Sequence, residues 1–125
     1  MGKKRVLSVG QCGADHAAIG WLLRGEFGAE VVPADSAESA IAALRDNKYD
    51  LVLVNRVFDR GGSGLDFITR IKDDDEFKAV PVMLVSNYED AQQQATARGA
   101  LLGFGKAALN EPATHRRLAE VLGDE

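Results

Sequence analysis

The sequence is short of the residues that build metal cages and disulfide frameworks. It has one cysteine, Cys12, and two histidines, His16 and His115, among 125 residues. A single cysteine cannot form an internal disulfide, and two isolated histidines do not have the spacing of metal ligands. We therefore predict neither a disulfide scaffold nor a metal site.

Long apolar runs and an excess of positive charge are also missing. No run approaches the roughly 20 apolar residues that a membrane helix needs, and the first residues do not form a signal peptide. Because 15 Lys and Arg residues face 19 Asp and Glu residues, the net charge is −4 and no cationic field is available for a phosphate backbone. We expect a cytoplasmic protein that binds neither membranes nor nucleic acid.

The composition is that of one globular domain spanning residues 1–125, with 46% apolar and 27% charged residues. Short β-branched or aliphatic runs, each closed by Gly, Pro, Asn or Ser, read as strands that are mostly buried on both faces. The predicted strands are Val6–Val9, Val31–Val32, Leu51–Val54, Val80–Val85 and, with a weaker pattern, Leu102–Gly105.

The segments between these runs have the apolar spacing of helices packed on one side. We predict that Ser36, Ser63 and Asn87 cap the second, third and fourth helices, and that the last helix begins at Asn110-Glu111-Pro112. The run Gln92-Gln93-Gln94 is interpreted as polar helix surface. The result is five βα units.

Strictly alternating βα units predict a parallel, open α/β sheet with helices on both faces. In such a sheet the ligand site lies beyond the carboxyl ends of the strands. Those ends are Gly10-Gln11, Asn55, Ser86 and Gly105-Lys106.

The residues at these strand ends resemble the receiver domain of two-component response regulators. Ser86 stands where the family has a Ser or Thr, and Lys106 matches the lysine that follows the fifth strand, after Gly99-Ala100. The resemblance covers essentially the whole chain. It implies a flavodoxin-like, five-stranded parallel sheet with strand order 2-1-3-4-5.

Several family residues are replaced. Gly10 and Gln11 occupy the place of the acidic pair, and Asn55 occupies that of the phospho-accepting Asp. Gly103 stands three residues before the lysine, where an aromatic switch residue is common. We interpret the matching positions as a degenerate phosphorylation pocket formed by Gly10, Gln11, Asn55, Ser86 and Lys106.

This pocket has lost its carboxylates and is net positive. We expect no acyl phosphate at Asn55, no bound Mg²⁺ and no cofactor, because an amide cannot replace a carboxylate nucleophile or metal ligand. The Asn55 amide is expected to offer donors to the pocket, and a small anion or the Asp59 carboxylate is expected within hydrogen-bonding reach of Lys106. Restoring Asp at positions 10, 11 and 55 together is expected to recover some metal binding.

The leading hypothesis is a non-enzymatic pseudo-receiver that works as a protein–protein interaction module in signal transduction. In receivers the fourth helix, fifth strand and fifth helix form the usual output surface, so we expect a partner protein or a second copy to dock at Gln93, Arg98, Arg116 and Arg117. One alternative is a response regulator switched by another modification or by a small ligand. Another is a flavodoxin-like enzyme or cofactor binder, although the chain has no nucleophile–base pair and no Gly-x-Gly-x-x-Gly after a strand.

Overall fold

A computed structural model describes residues 3–123 of the chain. Within this range five strands alternate with five helices, and a short 3₁₀ turn, Lys106–Ala108, precedes the last helix. The strands are β1 (Arg5–Val9), β2 (Glu30–Ala34), β3 (Leu51–Asn55), β4 (Val82–Val85) and β5 (Leu101–Phe104). The helices are α1 (Gly13–Phe27), α2 (Ala37–Asp46), α3 (Gly64–Lys72), α4 (Glu89–Ala97) and α5 (Pro112–Leu122). None of these helices is long and apolar enough to cross a membrane.

The strands form one parallel sheet in the order β2-β1-β3-β4-β5. This confirms the predicted α/β architecture and strand order. The carboxyl ends of β1 and β3 lie side by side, since Val9 pairs with Val54. The loops that follow these strands therefore meet at the same edge of the sheet.

The sheet is covered on both faces because its strand residues alternate between two apolar clusters. Val52 and Val54 belong to the cluster that is completed by α2, α3 and α4. Leu51 and Leu53 belong to the cluster on the opposite face, which is completed by α1 and α5. All four side chains are fully buried.

Two of the three predicted helix caps are confirmed. The hydroxyls of Ser36 and Ser63 accept hydrogen bonds from backbone N–H groups in the first turns of α2 and α3. The prediction for Asn87 is wrong, because its Oδ1 accepts the N–H of Ala107 at 3.0 Å and Tyr88 occupies the N-cap position. A side chain in a loop can bond to a distant loop as readily as to its own helix, and here it ties the start of α4 to the turn after β5.

Candidate functional site

A cleft of about 270 Å³ opens at the carboxyl ends of β3 and β4. It brings together three of the five residues of the predicted pocket, namely Asn55, Ser86 and Lys106. Gly10 and Gln11 do not line it. The remaining lining residues are the last residue of β4 and residues of the loops after β3 and β4, and they are Val85, Arg56, Val57, Asn87 and Tyr88.

Asn55 ends β3 with a side chain that is 9% exposed. Its Nδ2 donates to the carbonyl oxygen of Gly10 at 3.1 Å and to that of Val57 at 2.7 Å. Both N–H bonds of the amide are therefore used by the backbone. The expectation that this amide offers donors to the pocket is wrong, because the two carbonyls beside β3 need the same hydrogens.

Gly10 has a backbone conformation that favours glycine, with φ at +75°. A Cβ atom built at this position would collide with the ring of Phe58, which is only 4% exposed. An acidic side chain at position 10 would have to displace this ring, and this packing argues against the expected rescue of metal binding by Asp at positions 10, 11 and 55. Nor do residues 3–123 contain a group of three or more His, Cys, Asp or Glu side chains placed to hold a metal.

Gln11 lies beyond β1 and contributes no ligand to the cleft. Both polar atoms of its amide are buried without a hydrogen-bond partner. A buried, unpaired amide costs free energy on folding. The position that corresponds to the second family carboxylate is therefore filled by an uncharged side chain that does not line the cleft.

Lys106 has a carboxylate partner that the sequence did not indicate. Its Nζ lies 2.6 Å from Oδ2 of Asp15, in the first turn of α1. Asp59, the expected alternative to a small anion as partner of Lys106, is exposed, and its backbone N–H donates to the carbonyl of Gly10 at 2.9 Å. Asp15 takes this role instead, because α1 begins shortly after β1 and its first turn places Asp15 beside Lys106.

The Asp15 carboxylate is held in its charged form. The hydrogen bond from Lys106 keeps the pKa of Asp15 below its ordinary value of 3.8; burial opposes this shift and a hydrogen bond with the Cys12 thiol adds to it. Cys12 is also the N-cap of α1, where its sulfur accepts the N–H of Asp15 at 3.5 Å. The lysine of the cleft is therefore neutralised by a residue of the chain itself.

We expect Asp15→Asn to lower the free energy of unfolding by about 1 kcal/mol at pH 7, since the ion pair is about one-third exposed and screened by solvent. Because the folded-state pKa lies below the unfolded one, this contribution is present above about pH 4 and is lost as pH falls through the folded pKa. Urea denaturation of both proteins at stepped pH values measures the difference. Asp90→Asn is the matched control, because Asp90 is also a first-turn acid but has no salt bridge among residues 3–123. A difference for Asp15→Asn that stays unchanged down to pH 2 contradicts the assignment.

The two charged residues that line the cleft are both cations. The Arg56 guanidinium lies over the ring of Tyr88, 4.9 Å from its centroid, while the Ser86 hydroxyl accepts the Tyr88 N–H at 3.1 Å. Sequence reasoning did not single out Arg56 or Tyr88. The signal that could have found them is their position, since Arg56 follows the last residue of β3 by one position and Tyr88 follows that of β4 by three.

The predicted interaction residues do not share one environment. Gln93 and Arg116 are exposed, but Arg98 donates to the Thr69 hydroxyl at 3.1 Å and lies 3.7 Å from Asp66. Arg117 donates from Nη1 to the carbonyl of Gly103 at 3.1 Å. Between α4 and α5, Leu101 and Leu102 of the edge strand β5 are 44% and 50% exposed.

Comparisons with known proteins agree with this architecture. The sequence model of the response regulator receiver domain matches residues 14–107. A putative response regulator from Chloroflexus aurantiacus is 19% identical with a TM-score of 0.79, and the match covers 97% of this chain and 98% of that one. The signal receiver domain of a DNA-binding response regulator from Colwellia psychrerythraea is 21% identical with a TM-score of 0.80, covering 94% and 97%. The Mn(2+)-bound form of the response regulator Rcp1 is 18% identical with a TM-score of 0.67, covering 96% and 89%. No curated protein matches the sequence.

Proposed function

Because the chain belongs to the response regulator receiver domain family, we propose that it signals through protein contacts without accepting a phosphoryl group. Asn55 carries this proposal. Phosphoryl transfer to a receiver requires a carboxylate oxygen as nucleophile, whereas the nitrogen lone pair of an amide is delocalised into its carbonyl. The Asn55 N–H groups also donate to the carbonyls of Gly10 and Val57, and so the amide is fixed in a hydrogen-bonding role.

The electrostatics of the cleft support the same proposal. Mg²⁺ prefers carboxylate and other oxygen ligands, yet the charged residues that line this cleft are Arg56 and Lys106. The Asp15 carboxylate, which lies beside Lys106, is occupied by that lysine. Rcp1 holds Mn²⁺ in its solved structure; we propose that this chain binds neither Mn²⁺ nor Mg²⁺ at the corresponding place.

We further propose that the chain is a single domain over residues 1–125 that acts in the cytoplasm as a binding module and not as an enzyme. Its docking surface is the α4–β5–α5 face, defined here by Gln93, Leu101, Leu102 and Arg116. Two exposed leucines beside polar and cationic side chains are a composition that suits a protein partner or a second copy. Arg98 and Arg117 are left out because their guanidinium groups already bond within the chain.

The experiment that tests this function has two readouts on the same preparations. Incubation with acetyl phosphate and Mg²⁺, followed by intact-mass spectrometry, is expected to show no phosphoryl adduct on the wild type and little on Asn55→Asp. A receiver with its acidic pair intact is the positive control. Pull-down from the native host is expected to recover partners with wild type and with Arg45→Glu on α2, but fewer with Arg116→Glu.

A phosphoryl adduct on the wild type overturns the proposal. Its position identifies the replacement: an adduct on Asp59 supports a response regulator with a displaced acceptor. Equal partner recovery by Arg116→Glu and Arg45→Glu overturns the assignment of the docking face while leaving the chemistry of Asn55 in place.

A further inference from the structure

The edge strand β5 leaves the regular ladder at Gly103. Met83 pairs with Leu101 and Val85 pairs with Phe104, so β5 fits one more residue between these pairs than β4 does. Such a bulge leaves the peptide groups of the extra residue without partners in the ladder. Gly103 is buried, and its N–H and C=O must therefore be satisfied by other groups.

The N–H of Gly103 is satisfied by a side chain from α4. It donates to Oε1 of Gln92 at 3.1 Å. The Nε2 of the same amide donates to the carbonyls of Leu84 at 2.9 Å and Ser86 at 3.1 Å. Gln92 is 8% exposed, and its buried amide links β4 to β5 by hydrogen bonds. The interpretation of this residue as polar helix surface is therefore wrong.

The C=O of Gly103 is satisfied by a side chain from α5, since it accepts the hydrogen bond from Nη1 of Arg117. The two peptide groups of one residue are thus held by two different helices. Because α4 and α5 cover opposite faces of the sheet, these bonds tie both helices to the edge strand between them.

We propose that Gln92 and Arg117 are positioning residues that hold the β5 bulge in one arrangement, so that the α4–β5–α5 face is permanently formed and does not switch. Movement of β5 relative to β4 would break either the Gln92 bond to Gly103 or the two Gln92 bonds to Leu84 and Ser86. Position 103, where an aromatic switch residue is common in the family, has no side chain to reorient. This inference rests on the proposed phosphorylation-independent function, which needs a ready-made docking face.

The test uses the full chain and NMR. In the wild type we expect no microsecond-to-millisecond exchange for the amides of residues 101–105 in relaxation dispersion. Gln92→Ala is expected to introduce such exchange and to speed hydrogen exchange of the Gly103 amide at least about tenfold, because a buried N–H loses its acceptor. Gln93→Ala, one residue along the same helix and exposed, is the matched control and should change neither value.

Arg117→Ala against Arg116→Ala supplies a second matched pair, which keeps the test decisive if Gln92→Ala does not fold. Increased exchange at residues 101–105 in Arg117→Ala alone supports the proposal. Exchange in the wild type, or equal Gly103 rates within both matched pairs, overturns it. These amide measurements need no phosphoryl donor. A failure of this inference is therefore detected by NMR, whereas a failure of the proposed phosphorylation-independent function is detected by mass spectrometry.

Discussion

We expect Gly10→Ala to lower the free energy of unfolding by about 3 kcal/mol, and Gly10→Asp by at least as much. Roughly 1 kcal/mol comes from placing a side chain at φ +75° and the remainder from overpacking. The new Cβ would meet the ring of Phe58, which is buried and packs edge-on against Phe67 with ring centroids 6.0 Å apart. A ring packed in this way resists displacement by a new side chain.

Urea denaturation separates the two causes. Gly61→Ala is the control, because Gly61 has φ +97° in the same loop region but nothing lies within 4 Å of its Cβ position. It should cost only the backbone strain. In the double variant Gly10→Ala with Phe58→Leu, the loss should be smaller than the sum of the single losses, since the smaller side chain removes part of the collision. If both substitutions lowered the free energy of unfolding equally, the Phe58 ring would have to move at little cost. Position 10 could then accept a carboxylate side chain.

This packing determines what a carboxylate at position 10 would require. Recovering a carboxylate at position 10 requires a change at Phe58 as well, because the ring occupies the space beside the glycine. The glycine at position 10 is thus tied to the packing of the core as well as to the surface of the cleft. Asn55 is compatible with a glycine at position 10, since its amide donates a hydrogen bond to the Gly10 carbonyl.

The order of elements could be predicted from the sequence because it depends on local patterns. The fully buried strand β3 reads as a continuous aliphatic run, and the Ser36 and Ser63 caps mark helix starts by contacts within four residues. The same patterns predict which residues follow the carboxyl end of each strand. Asn55, Ser86 and Lys106, three of the five residues assigned to the pocket, therefore line one cleft, whereas Gly10 and Gln11 do not.

The side-chain partners could not be predicted in the same way, because they depend on packing between distant elements. Asp15 and Lys106 are far apart in sequence, and the sequence alone offered Asp59, in the loop after β3, as a possible partner of the lysine. For Gln92 a local signal did exist. It lies next to Ala91 and three residues before Ala95, both buried, so helical spacing places it at the margin of the inner face of α4.

We expect Gly103→Tyr, which installs an aromatic residue at the family's switch position, to lower the free energy of unfolding by more than about 3 kcal/mol. A Cβ at position 103 would collide with the carbonyl oxygen of Leu84, which is backbone and is held by Gln92. The side chain therefore enters only if β5 separates from β4, and this breaks the Gln92 and Arg117 bonds to Gly103.

Thermal and urea denaturation measure the loss, with Leu102→Tyr as the neighbouring control. Leu102 is 50% exposed, and a tyrosine there should change stability by no more than about 0.5 kcal/mol. Gly103→Ala should fall between the two, because it meets the same carbonyl with the smallest side chain. A Gly103→Tyr protein as stable as Leu102→Tyr would mean that the β4–β5 spacing adjusts at little cost. The bulge would then be a movable element, and the absence of an aromatic residue at position 103 would have to be explained by function instead of packing.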